Sequence, residues 1–298
     1  MRVSKIFLSA MICSVLLAGC DEKKQADHET SENTAPADTV RINDHIAIAN
    51  QLTGLSGVEQ AQAQYLKQKI ATATPDKAID YPSLNYKYLN EKFSALKDVS
   101  SLSPALQTAS KDLKVKIHAL EQDYNEFNIY YDSGEYKTDQ LAKGKKADAQ
   151  IQQHFKEAVD SFQRFQIALN EVYSKEKKKE LEKLKESGNA YAYHRAAALD
   201  ASERLVSVFQ TEQDITNPAK YKEADAIADQ LQQELNQLNT EYNKNKEKDP
   251  KIATDTVLMS LSSCLKYYRE FKQSKNQYDF KFMIDAYNSA VQYSNFRS

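Results

Sequence analysis

The chain is poor in the residues that interrupt regular structure. Six Gly and six Pro make up about 4% of its 298 residues, against roughly 12% in average composition. An all-β or α/β fold must reverse the chain every ten residues or so and needs more such breakers, so their scarcity argues for long helices. Trp is absent and Cys numbers three. Charge of one sign is also missing: 40 Lys and Arg stand against 42 Asp and Glu, with five His and a net charge of −2, which leaves no basic footprint for nucleic acid. What is present is 28% charged and 41% apolar residues, with 18 Tyr and 11 Phe. That balance suits a bundled helical protein and is too apolar for a disordered one.

The N-terminus carries its own message. Arg2 and Lys5 precede an uncharged apolar run, Ile6 to Leu17. Twelve residues are too few to cross a hydrocarbon core of about 30 Å, so the run reads as a secretory signal. It ends in Leu17-Ala18-Gly19-Cys20, which resembles a bacterial lipobox. The resemblance implies cleavage before Cys20, a diacylglyceryl group on its thiol and an acyl chain on the new amino group. Several acyl chains, at about 0.8 kcal/mol per buried CH₂, make a stable anchor where one would be marginal. Residues 1–19 are thus expected to be the signal peptide. Their loss removes Arg2 and Lys5 and leaves a net charge of −4. Asp21 follows Cys20 and resembles the signal that retains enterobacterial lipoproteins in the inner membrane, which favours that membrane over the outer one. Residues 20–39 read as a lipidated, disordered tether. From Asp21 on they hold six acids, two lysines and Pro36, with no large apolar side chain, and such a segment cannot bury enough surface to fold. Cys13 leaves with the signal, so Cys264 is the one thiol left to the folded part, which then holds no internal disulfide.

Residues 40–298 read as one helical domain. Leu106, Ala109, Leu113, Ile117, Leu120, Tyr124, Phe127 and Tyr131 are spaced three or four apart, a sustained stripe along one helix face. Ile151 to Val172, Ala224 to Tyr242 and Val257 to Phe271 repeat the pattern. Ser103-Pro104, Asn217-Pro218 and Asp249-Pro250 each place a capping side chain before a Pro suited to the first helical position, and Gly134 and Gly188 are placed to close helices. Helices are predicted near 40–72, 83–99, 104–132, 138–187, 190–213, 218–247, 250–275 and 279–296. Gly54, Gly57 and Gly144 fall inside them and mark breaks or close packing. The expected fold is all-α: an elongated antiparallel helical bundle with long helices and no β-sheet.

Chemistry is harder to find. The sequence has no Gly-rich phosphate loop, GxSxG, HExxH or CxxC, so no catalytic residues are assigned and the chain is not expected to be an enzyme. His154 and Glu157 form an HxxE pair three apart on a predicted helix. The spacing resembles that of imelysin-like periplasmic proteins, which implies metal binding. However, His154 flanks the helix seam, Glu157 leans outward and no second helix offers an obvious further ligand, so the pair reads first as a seam histidine beside an exposed acid, with no metal site. Tyr191, Tyr193, His194 and Arg195 make a cluster that suits either an anion or packing. The lysines at 175 and 177–179 alternate with Glu176, Glu180, Glu182 and Glu186. They read as the solvated end of a helix, or else as a contact for acidic lipid headgroups. Cys264, beside Leu261, Leu265 and Tyr268, reads as a buried inert thiol. Tyr124, Tyr130, Tyr131 and Tyr136 are the densest local composition, suited to core packing or to lining a pocket.

These motifs together (the lipobox, the acidic tether, Ser103-Pro104-Ala105-Leu106, Tyr130-Tyr131, Tyr136-Lys137, Ala142-Lys143-Gly144-Lys145 and Asp285-Ala286-Tyr287-Asn288) resemble the YiiG-like family of bacterial lipoproteins, a domain of unknown function. The resemblance implies a helical, secreted, lipid-anchored protein and brings no activity, cofactor or site residue with it. The expected role is binding in the cell envelope, facing the periplasm. The partner would be an envelope protein, a polymer or a small ligand, besides the membrane reached through Cys20. An imelysin-like metal-binding module is the alternative.

Overall fold

A computed structural model describes residues 37–209, 212–246 and 256–295. The signal segment, Cys20, Asp21, nearly all of the tether and the Asp249-Pro250 cap lie outside the described residues. Those described form an all-α protein of eleven α-helices and two single 3₁₀ turns, with no strand among them. They divide into two compact units, residues 37–174 and the described residues from Lys175 on.

The unit over residues 37–174 holds α1 (Ala37–Leu52), α2 (Val58–Gln68), α3 (Tyr86–Ala95), α4 (Pro104–Asp132), α5 (Glu135–Thr138) and most of α6 (Ala142–Glu186). The helix predicted over 40–72 is in fact α1 and α2 with a break between them. Gly54 takes a φ of 84° there, a conformation that costs L side chains free energy. At Gly57 an added Cβ would collide with the Leu52 carbonyl oxygen. The helix predicted over 104–132 has those bounds. Ser103 Oγ accepts the Leu106 amide at 3.1 Å ahead of Pro104, and Gly134, at φ 75°, follows its last turn.

Helices α4 and α6 run antiparallel, and polar pairs mark their register. Ser161 Oγ and Arg164 donate to Asp112 at 2.6 and 2.8 Å. Lys116 donates to Glu157 at 2.9 Å, and the amide of Gly144 donates to the Tyr130 hydroxyl at 3.3 Å. Residue numbers that rise along α4 fall along α6. Along the two helices Leu106, Leu113, Ile117, Leu120, Ile151, Phe155 and Phe162 are buried, so the apolar stripe supplies the burial and the polar rungs its phase.

The second unit comprises the end of α6 with α7 (Ala190–Ser207), α8 (Glu212–Thr216), α9 (Pro218–Asn245), α10 (Thr256–Ser274) and α11 (Gln277–Asn295). The stretch predicted as one helix over 190–213 ends at Ser207 and is followed by the short α8. Asn189 accepts the Ala192 amide at 3.0 Å to cap α7, and Asn217 accepts the Ala219 amide at 3.0 Å ahead of Pro218 to cap α9. Its core joins Leu205, Phe209, Leu231, Leu261, Cys264 and Phe271. Phe209, Tyr221, Phe271 and Phe280 meet with ring centroids 5.0 to 6.1 Å apart, at edge-to-face and tilted angles that suit their quadrupoles.

Candidate functional site

The densest chemistry lies at the corner where α4 turns through α5 into α6. Tyr130, Tyr131 and Tyr136 are all buried, with ring centroids 4.9 to 6.4 Å apart. Tyr81 lies 6.4 Å from Tyr131, and Phe155 and Tyr65 extend the cluster at 6.2 and 5.7 Å from Tyr81. The neighbouring tyrosines of α4 and α5 were legible as a cluster in the sequence. Tyr65, Tyr81 and Phe155 were not, because only the folded chain brings them in.

Each phenol needs somewhere to put its hydroxyl. Tyr130 donates to Asp139 at 2.8 Å and Tyr136 to the Lys77 carbonyl at 3.1 Å. Tyr65 donates to the buried Asp148 at 3.0 Å, and Tyr86 to the Leu120 carbonyl at 3.3 Å. The hydroxyls of Tyr81 and Tyr131 are buried without a partner, each costing free energy that its ring must outweigh. Burial, then the nearby Asp139 carboxylate, pushes the Tyr130 phenol up to about 12. Burial likewise drives Tyr65, Tyr81, Tyr86 and Tyr131 upward. These phenols stay protonated near neutral pH, and Tyr65, Tyr86 and Tyr130 serve as donors.

Asp139 organises the corner. It accepts from Tyr130 and, at 3.0 Å, from the Lys143 amide at the start of α6. The Lys143 amide above all, helped by the Tyr130 hydroxyl and the amides of Leu141 and Ala142, holds its carboxyl below the usual range against the opposing effect of desolvation. Gln140 and Leu141 both take positive φ, 57° and 64°, a strained pair of L residues held by the buried Leu141 side chain and a 2.8 Å bond from its amide to the Tyr136 carbonyl. Lys143 lies over the rings of Phe127 and Tyr130 at 5.0 and 5.4 Å. At Gly144 an added Cβ would lie 2.6 Å from the Tyr131 hydroxyl. The Tyr-Tyr, Tyr-Lys and Ala-Lys-Gly-Lys motifs of the sequence are therefore parts of one helix corner.

The HxxE pair does not converge. His154 Nδ1 lies 2.7 Å from Asp123 Oδ2 on α4, while Glu157 receives Lys116 and, at 2.8 Å, Gln153. A second helix does offer His154 a carboxylate, contrary to the sequence expectation, and Glu157 packs along the same helix pair rather than leaning free. Asp123 was missed although its phase was readable: it lies three residues after Leu120 and four before Phe127, on the buried stripe. Burial raises its pKa; the His154 contact opposes that rise, and Glu126 adds to it. Among the described residues no group of three or more His, Cys, Asp and Glu side chains is placed to hold a metal ion.

In the second unit His194 Nδ1 lies 2.7 Å from Glu234 of α9, so an acid, not an anion-binding group, stands against the Tyr-His-Arg cluster. Lys177 of the charged run reaches Asp200 and Glu203 of α7 at 2.7 and 2.8 Å; it is a rung between helices rather than a solvated lysine. Lys175 and Lys178 are exposed. Cys264 is fully buried, and burial pushes its thiol up to about 12 against a weaker pull from the Ser202 hydroxyl.

Fold and site define an all-α protein with two aromatic-rich helical cores, whose candidate residues pair with neighbouring helices. The chain belongs to the family described as a protein of unknown function, DUF3829, whose model matches residues 37–289, from the start of α1 into α11. No curated protein and no solved structure matches it. No described helix is long and apolar enough to cross a membrane.

Proposed function

We propose that this member of the family is a YiiG-like lipoprotein, held at the periplasmic face of the envelope by lipid on Cys20 and acting by binding rather than catalysis. The observation that carries the anchor is the Leu17-Ala18-Gly19-Cys20 box behind its basic start and apolar run. Asp21 favours the inner membrane. Binding is favoured over catalysis by the use already made of the reactive candidates: His154 faces Asp123, Glu157 faces Lys116 and Cys264 is shut in a core. The partner is an envelope protein, a polymer or a small ligand.

Metabolic labelling with an alkyne fatty acid tests the anchor. Label is expected on the wild-type chain, which sediments with membranes, and is lost together with sedimentation in Cys20→Ala. Unlabelled wild type, or label surviving the substitution, overturns it. A metal-binding role through His154 and Glu157 is the second reading, favoured by the added carboxylate of Asp123 and weakened by the Lys116 pairing of Glu157. It requires stoichiometric metal in the purified protein that His154→Ala removes.

A further inference from the structure

Helix α11 carries three large aromatic side chains on its outer face. Tyr278 is 72% exposed, Phe282 47% and Tyr293 43%. At about 100° per residue these three and Ser289 fall within roughly 60° of the helix circumference, along about 22 Å of its length. The opposite face of the same helix is spent on the core through Phe280, Met283, Tyr287, Ala290 and Val291. Tyr267 of α10 broadens the exposed strip, its ring centroid 5.5 Å from that of Phe282. Large aromatics singly exposed need no explanation, but a strip of them on one helix marks a contact surface.

The charges beside the strip indicate what covers it. Lys281 and Asp285 flank the aromatics on one side, both exposed, and neither side chain has an ion-pair partner among the described residues. An acid at the edge of the strip disfavours an anionic bilayer. The same acid completes a pattern that is complementary to itself. When two copies of a helix meet antiparallel about a two-fold axis, the same flank of each faces the other, and residue i meets j as j meets i. An axis crossing the outer face at the level of residue 283 sets Lys281 of one copy against Asp285 of the other, twice, while the Phe282 rings pack close to the axis. We propose that the outer face of α11, widened by Tyr267, is an isologous interface on which a second copy of this chain docks antiparallel. The inference does not depend on the lipid anchor.

Sedimentation of the full-length chain in detergent, over a concentration series, is the test. The wild type is expected to pass from monomer to dimer. Phe282→Glu is expected to raise the dissociation constant at least about tenfold, which the loss of one buried ring's contribution suffices to explain. Because Phe282 is partly exposed, unchanged helix content and thermal unfolding will show that this variant still folds. Lys281→Glu sets acid against acid across the axis, and Asp285→Lys sets base against base; each is expected to weaken the dimer. The double variant Lys281→Glu with Asp285→Lys restores both pairs and is expected to restore the dimer, a rescue that only self-association predicts. A chain monomeric throughout, or a dimer indifferent to Phe282, or a double variant as weak as the singles, overturns the proposal.

Discussion

Gly144 and Tyr131 are a matched pair, one side chain occupying space that the other leaves open. A Cβ at residue 144 would lie 2.6 Å from the Tyr131 hydroxyl, and the Tyr131 ring is walled in by Phe127, Tyr130, Tyr136 and Tyr81. Gly144→Ala is therefore expected to cost about 1–3 kcal/mol, the usual range for overpacking, despite the better helix propensity of Ala. Tyr131→Phe removes a buried hydroxyl that has no partner and is expected to be neutral or stabilising. The double variant should recover most of what Gly144→Ala loses. Urea unfolding of the four proteins checks this, and independent, additive effects would count against it. The glycine was readable in the sequence as a break or a close contact. Its partner was not, since nothing in the spacing links residue 144 to residue 131.

Among the elements, α4 was the most legible and the α1–α2 region the least. The ends of α4 are written locally, by Ser103-Pro104 at one and Gly134 at the other, and its stripe is unbroken. Between residues 40 and 72 the apolar period continues across Gly54 and Gly57, and it takes the backbone, with Gly54 at positive φ and no room for a Cβ at Gly57, to show the break. The α4–α6 seam has its own consequence. Asp123 is buried there with His154 and carries a raised pKa, chiefly through desolvation. A carboxyl whose folded pKa lies above its unfolded value contributes stability that is complete below the ordinary carboxylate range, near 3.9, and is lost as pH rises through the folded value. Asp123→Asn abolishes that titration. The stability of wild type relative to Asp123→Asn is thus expected to fall as pH is raised from the acid side towards neutrality. Paired urea melts across that window check the sign, and a gap that is flat or moves the other way refutes the assignment.

For the whole molecule, the division into two units, each with its own buried core, bears on how the protein opens. Cys264 reports on the second core, since it is fully buried and its thiol is pushed up to about 12. Local opening exposes such a group more rarely the more stable the unit around it. Peptide mapping after treatment with an alkylating agent is expected to find Cys264 unmodified in the native protein at neutral pH. Leu235→Ala, a cavity in the same core costing about 2–5 kcal/mol, should speed its modification at a fixed low urea concentration. Leu120→Ala, in the unit over residues 37–174, should leave it nearly unchanged. Equal acceleration by both would mean that the two cores open as one. The all-α class followed from scarce breakers and helical period, whereas the division into units did not. It falls inside α6, between Ser174 and Lys175, where the sequence reads as one uninterrupted helix.

The crowding of tyrosines into these cores also decides what the protein looks like to light. With 18 Tyr and no Trp, its near-ultraviolet spectrum belongs to phenols. A phenol open to solvent ionises as alkali is added, around the ordinary value near 10. Those walled into the cores form phenolate only when the helices around them part. The absorbance curve on alkaline titration will therefore fall into two stages, and the second is an unfolding curve written by the protein's own side chains, with no label required.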